Sequence, residues 1–293
     1  MPQVSVLMTI YNAAPYLEIA LQSVLAQTFE SWELIAIENG STDESLAILD
    51  SFDDPRFKVF PLRENIGRTP ALRRAFDMAQ GEYSAVLDAD DVSYPHRLAR
   101  QVAFLQENPE VVLVGSWARL IDEHGSELGT VSPPAGHDAL YQNLGSENPF
   151  IHSSSMYRSE SASLVGGYPE HLIHAQDCGL WLRLAQQGRL GMIQEVLCDQ
   201  RVLSGSMTGG IAHRLDVARD WLALLTDARD HLSLGPTAIR RNRDEILIAR
   251  VKYALALVSE GYKVEGIKVL GFAALANPIG LFRNRVVAER MRW

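Results

Sequence analysis

The first 91 residues alternate between short apolar runs and stretches of helical spacing. Val4–Ile10 is an apolar run of strand length. A turn at Tyr11–Ala14 follows, then Pro15, which suits a first helical position. Leu17, Leu21, Val24 and Leu25 keep helical spacing, which predicts a helix ending near Thr28. Glu33–Glu38 predicts a second strand, Asn39–Asp43 a turn with a helix cap, and Glu44–Phe52 a helix. Phe57–Pro61 predicts a third strand and Asn65–Gly67 another turn. Thr69 and Pro70 open a helix to Gln80, Gly81 stops it, and Tyr83–Leu87 is a fourth strand. Strand–helix alternation with a turn after each strand predicts an α/β fold, a mostly parallel sheet with helices on its faces.

Downstream, Pro95–Asn108 predicts a helix and Val111–Ser116 a strand. Asp122–His137 is loop-rich, with a hairpin around His124 and Gly125. Helical pieces at Asp138–Leu144 and Ser159–Val165 flank the polar Ser153–Ser155 segment. After the Gly166–Pro169 turn, Asp177–Gln187 is amphipathic, with Leu180, Trp181, Leu184 and Ala185 on one face. Gly191–Val196 is a last strand. Arg214–Arg229, Thr237–Ser259 and Val264–Ala276 are helical, so a boundary near residue 210 is expected, dividing 1–210 from 211–293.

The strand Tyr83–Leu87 ends in three carboxylates, Asp88, Asp90 and Asp91. Like charges packed this closely raise one another's pKa unless a cation or donors offset them. Hard oxygens without a nearby Cys suit Mg²⁺ or Mn²⁺ better than zinc. In open α/β sheets, ligands bind beyond the carboxyl ends of strands, where these acids sit. The plainer alternative is a polar loop that caps a helix before Tyr94 and Pro95.

Composition narrows the classes. The 293 residues are 47% hydrophobic and 22% charged, as in a globular protein with a sizeable core. A net charge of −9 argues against a nucleic-acid binder held by a broad basic surface. Cys178 and Cys198 form no CxxC pair, so reduced thiols in a cytoplasmic protein are expected. The opening residues lack the charged and small-residue features of a signal peptide, and the apolar stretch Val269–Phe282 is too short to span a bilayer.

Five segments, in order, resemble the family-2 glycosyltransferases of the GT-A fold. They are Val4–Asn12, Ile37–Asp43, Asn65–Gly67 with Ala71 and Leu72, Leu87–Asp91, and Gln176–Arg183. The resemblance covers Val4 to about Thr208. It implies a metal-dependent, inverting enzyme of hexosyltransferase type. Such an enzyme moves a sugar from a nucleotide donor, with a UDP-sugar favoured, to a glycan or lipid-linked glycan. The implied setting is polysaccharide or lipid-linked glycan synthesis. Thr9, Tyr11 and Glu38 would hold the base and ribose, with Asn65, Gly67 and Ala89 completing the donor site. Asp88 would contact the ribose or help hold the metal, and Asp90 and Asp91 would coordinate Mn²⁺ or Mg²⁺. Asp177 would be the catalytic base, supported by Trp181 and Arg183, with His152 and Trp181 toward the acceptor side. Glu38 and Asn39 stand where the family has two Asp, Gln176 replaces an acid, and Leu203 stands where a His is usual.

Other readings of the same residues compete. Glu38 could instead cap the Ser41–Asp43 turn, and Arg68, Arg73 and Arg74 could touch phosphates but read more readily as solvated helix arginines. Asp88–Val92 also matches the acid motif of haloacid-dehalogenase-type phosphatases, and the substitutions leave room for a protein that only binds nucleotide or glycan. Phe282–Trp293 carries four arginines among apolar residues. This suits peripheral contact of the C-terminal helices with an anionic surface, at the inner face of the membrane, and equally a helical cap or dimer contact.

Overall fold

The computed structural model describes residues 1–203 and 214–276. The strands are β1 (Val4–Ile10), β2 (Trp32–Glu38), β3 (Phe57–Pro61), β4 (Tyr83–Val86), β5 (Val92–Ser93), β6 (Val111–Ile121), β7 (Glu127–Val131), β8 (Met156–Arg158) and β9 (Arg189–Arg201). They form one sheet in the order β3-β2-β1-β4-β8-β6-β9-β5, with β7 added on β6. The helices are α1 (Ala14–Leu25), α2 (Ser45–Asp50), α3 (Arg68–Met78), α4 (Arg97–Glu107), α5 (His137–Asn143), α6 (Ser159–Leu164), α7 (Gln176–Leu184), α8 (Arg214–His231), α9 (Pro236–Ser259) and α10 (Lys263–Ala276).

Strands β3, β2, β1 and β4 pair in parallel. Helices cover both faces there, so β2 and β4 are buried along their whole length and read as near-continuous apolar runs. Alternate residues feed two cores. Leu34, Ala36, Ala85 and Leu87 enter the one that holds α1 and α4, while Ile35, Ile37 and Val86 enter the one that holds α3 and α7. The parallel run ends at β4, because β8 pairs antiparallel with both β4 and β6. The sheet is therefore mixed.

β6 and β9 run beyond their apolar stretches because they pair with each other. Arg119 lies opposite Asp199 and grips it through two hydrogen bonds of 2.8 and 2.7 Å. The expected hairpin is present as the β6–β7 turn, with Gly125 at φ 86°.

The boundary expected near residue 210 and the basic Phe282–Trp293 stretch lie outside the described residues. The described C-terminal helices dock on the sheet domain. Leu224 and Ala228 of α8, with Leu232 just after it, join the core that holds α7. Asp220, buried, accepts hydrogen bonds from the backbone N–H groups of Ile173 (2.5 Å) and His174 (2.8 Å). No described helix is long and apolar enough to cross a membrane.

Candidate active site

The register fixes where the site forms. Leu7 pairs with Val86 and Ile10 with Glu38, so the chain leaves β1, β2 and β4 on the same edge of the sheet. Ordered turns build that edge. Asn12 adopts φ 51°, and its side chain accepts the Thr42 N–H at 2.9 Å, tying the first turn to the second. Asp43 accepts the Ala14 and Ser45 N–H groups at 3.0 Å each. Gly40 sits at φ 71°, where a Cβ would lie 2.5 Å from the Glu64 carbonyl carbon. Only glycine fits so close an approach in the left-handed region. Asn39 binds Asn65 Oδ1 through its amide nitrogen (3.1 Å) and accepts the Ile66 N–H through its oxygen (3.0 Å). The turn before α3 is thereby fixed beside the β2 edge.

The three acids after β4 have different surroundings. Asp88 receives Arg68 Nη2 on both oxygens at 2.7 Å, and His152 Nδ1 lies 3.3 Å from its Oδ1. Burial alone raises this carboxyl, but Arg68 and then His152 outweigh it and hold it below the ordinary carboxylate range. Among the described residues, no side chain hydrogen-bonds the Asp90 carboxylate. It is pushed up to about 6, first by burial and then by the Asp88 charge. Asp91 is turned inward and only 3% exposed. Its Oδ1 accepts the Arg201 N–H at 2.7 Å and its Oδ2 accepts the Ser153 hydroxyl. Burial, Asp90 and Asp88 together push Asp91 well above the usual range.

This arrangement separates the expected metal ligands. Asp90 is suited to a divalent cation: a hard oxygen donor carrying repulsion that such an ion would relieve. Asp91, expected beside it, has both oxygens committed to the fold and holds the loop instead. Asp88 likewise has both oxygens committed, to Arg68, so Asp90 is the open carboxylate of the three. Arg201, on β9, closes the far side: its Nε donates to the Asp90 carbonyl at 2.9 Å, and its guanidinium stacks 4.4 Å over Tyr16.

Asp177 opens α7, and Asn148 Nδ2 donates to its Oδ2 at 2.8 Å. Arg183, on the same helix, donates to the Val165 and Gly167 carbonyls at 3.3 and 3.2 Å, holding α7 against the Gly166–Gly167 turn. Burial and then the Asp177 charge push the Cys178 thiol well up, so this buried sulfur stays a packing group.

Three expected positions differ. Trp181 is fully buried among the rings of Phe150, His152 and Tyr157, so it lies inside the core and offers no face to an acceptor. His152 is likewise buried. Its Nε2 lies 3.2 Å from the Tyr168 hydroxyl and its Nδ1 faces Asp88 and Arg68, so it braces the Asp88 end of the site. Glu38 is 3% exposed and accepts the Ser41 N–H at 2.6 Å, as a turn cap does. Tyr11, half-exposed, and Thr9 at the β1 end, with Asn65 and Gly67 before α3, remain on the open edge, while Ala89 is buried between Asp88 and Asp90. Arg68, expected as a solvated helix arginine, is instead the Asp88 partner. Asn148, Ser153 and Arg201 carry no sequence signal of their roles, since their partners lie 29, 62 and 110 residues away.

Comparison with known proteins places this geometry. The family model described as glycosyl transferase family 2 matches residues 5–163. The putative glycosyltransferase EpsE of Bacillus subtilis is 32% identical over 206 residues, which is 68% of this chain and 73% of EpsE. The amylovoran biosynthesis glycosyltransferase AmsE of Erwinia amylovora is 31% identical over 188 residues, 63% of this chain and 70% of AmsE. Residues 1–349 of S. aureus TarS, solved in complex with UDP-GlcNAc, share the fold with a TM-score of 0.66 at 17% identity, covering 99% of this chain and 78% of that one. The mannosyltransferase PcManGT from Pyrobaculum calidifontis, in complex with GDP-Man and Mn²⁺, does so with a TM-score of 0.63 at 19% identity, covering 99% and 83%. The chain belongs to glycosyl transferase family 2 and is a glycosyltransferase of the GT-A fold.

Proposed function

We propose that the enzyme moves a hexosyl group from a nucleoside-diphosphate sugar to a hydroxyl of a glycan or lipid-linked glycan, with inversion at the anomeric carbon. The observation that carries this reading is the division of labour among the acids: Asp88 fixed by Arg68, Asp90 left open, and Asp177 oriented by Asn148. A UDP-sugar is the favoured donor, with Thr9, Tyr11 and the Asn65–Gly67 turn lining the nucleotide edge. TarS, which shares the fold, is known in complex with UDP and with UDP-GlcNAc, which supports this choice. The kinship with AmsE supports a place in polysaccharide synthesis.

Asp90 would hold Mn²⁺ or Mg²⁺, with the Arg68-bound Asp88 fixed beside it. When bound, the ion supplies Lewis-acid stabilisation of the charge that develops on the diphosphate oxygens. The Mn²⁺ in the PcManGT complex supports the choice of a divalent ion. The reaction is a single displacement. The acceptor oxygen forms a bond to the anomeric carbon as the bond from that carbon to the diphosphate oxygen breaks. Asp177 takes the acceptor's proton, and Asn148 keeps its carboxylate aimed. Asp91 and Ser153 hold the loop that carries Asp88 and Asp90.

A haloacid-dehalogenase-type phosphatase fits poorly, since its motif follows the first strand. Here Asp88 follows β4 and is tied to an arginine. Incubation with UDP-sugars or GDP-mannose and Mn²⁺ tests the proposal, with nucleoside-diphosphate release and the anomeric configuration of the product read by NMR. Transfer with inversion is expected. Transfer with retained configuration, or phosphate-ester hydrolysis without transfer, would overturn it.

A further inference from the structure

We propose that a cavity lined by Asn148 binds one neutral sugar ring of the acceptor, and that Asn148 joins this subsite to the base, Asp177. The inference rests on the glycosyltransferase reading and adds to it the location and chemistry of the acceptor end. The cavity has a volume of about 270 Å³ and lies between Val131–Pro134, at the end of β7, and a stretch that starts at Asn143, the end of α5. That is near the lower end of small-molecule sites, which run from about 300 to 1,000 Å³. It suits a single ring with one end open, and not an extended oligosaccharide.

The lining is of two kinds. Val131, Pro133 and Pro149 give apolar surface for the C–H faces of a sugar. Asn143, Glu147 and Asn148 give amide and carboxylate groups for its hydroxyls. The Asn143 and Glu147 side chains make no hydrogen bond to another described residue; the bonds here are to the Asn143 backbone carbonyl, from Ser146 and from the Glu147 N–H. They are polar groups at a cavity with bonding capacity to spare. The Glu147 charge disfavours an anionic ligand, so the subsite fits a neutral ring better than a phosphate.

Asn148 ties the cavity to the chemistry. Its Oδ1 accepts the Phe150 N–H at 3.1 Å, which settles which end of the amide points where. Its Nδ2 then donates to Asp177. Three residues on, Ile151 lines the same cavity, and the next residue, His152, reaches Asp88. One short segment therefore touches the base, the cavity and the Asp88 side. The prolines are held too, since Trp117 Nε1 on β6 donates to the Pro133 carbonyl at 3.1 Å.

Saturation-transfer NMR of the full-length enzyme with the methyl glycosides of glucose, galactose and N-acetylglucosamine tests this. At least one glycoside should bind the wild type. Asn143→Ala and Glu147→Ala, which remove no bond within the described fold, should each weaken it by roughly two- to tenfold, the worth of one hydrogen bond. No binding by any of the three, or binding unchanged in both variants, would overturn the proposal. UDP-GlcNAc and GDP-mannose titrated with Mn²⁺ on the same samples read the donor site separately. Loss of donor binding with glycoside binding intact would count against the transferase mechanism and not against this subsite.

Discussion

Asp90→Asn should stabilise the metal-free protein. Most substitutions destabilise, so the direction itself is informative. In the folded state the Asp90 carboxyl is raised from 3.8 to about 6, by burial and by the Asp88 charge. A raised carboxyl means that ionised Asp90 works against folding. At pH values below 3.8 both the folded and unfolded chains are protonated there, and the cost vanishes. It grows as the pH climbs from 3.8 to about 6 and is complete above that. The full cost is about 3 kcal/mol at pH 7.5 and about half that at pH 5. A neutral amide of the same size removes it. At about 2–4 °C per kcal/mol for large domains, Tm should rise by several degrees at pH 7.5 in EDTA, and by clearly less at pH 5. Mn²⁺ should raise the Tm of the wild type at pH 7.5 and leave Asp90→Asn unmoved, since a ligand of the folded state stabilises only what it binds. Thermal melts of both proteins at the two pH values, with EDTA and with Mn²⁺, suffice. A variant that melts at or below the wild-type temperature in EDTA at pH 7.5 would refute the reasoning.

Asp177→Asn keeps the size and can still pair with Asn148 but has no basic oxygen. Transfer should fall on the order of 10²–10⁴-fold with donor affinity unchanged, and near-wild-type turnover would place the base elsewhere. Asn148→Ala should lower kcat while leaving donor binding intact, because it frees the Asp177 carboxylate without touching the acids after β4; an unchanged kcat would show that the 2.8 Å contact does not orient the base. Gly40→Ala forces a side chain into the left-handed region at φ 71°, costing about 1–3 kcal/mol in strain before the contact with Glu64 is counted, and an unchanged denaturant midpoint would contradict that. Asp220→Ala orphans the Ile173 and His174 N–H groups at about 1–3 kcal/mol each and should loosen α8 from the domain, read as faster amide exchange in both segments.

Strands β1, β2 and β4 were legible because burial on both faces writes a continuous apolar run into the sequence. The turns after β1, β2 and β3 were legible because Asn12, Gly40 and Gly67 adopt positive φ, which the chain signals through residue type. The far half of the sheet was not. β8 is three residues long and β5 two, too short for a period to show. The outer half of β9 continues past its apolar run because Asp199 is neutralised by Arg119 on the neighbouring strand. At the site, the acid cluster was visible but its division was not. Three adjacent carboxylates look alike in one dimension. Which one turns inward is decided by the Ser153 hydroxyl and the Arg201 N–H, both brought in by distant segments. The same holds for Trp181. Its helical position marks an apolar face, yet only the packing of Phe150 and Tyr157 shows that no surface remains for a ligand.

The most direct measurement is calorimetric titration of UDP into the wild type and into Asp90→Ala, each with Mn²⁺ and with EDTA. A donor site at the end of β4 that needs a cation on Asp90 predicts clear binding to the wild type with Mn²⁺, and loss of that binding both in EDTA and in Asp90→Ala. Equal affinity in all four titrations would contradict it.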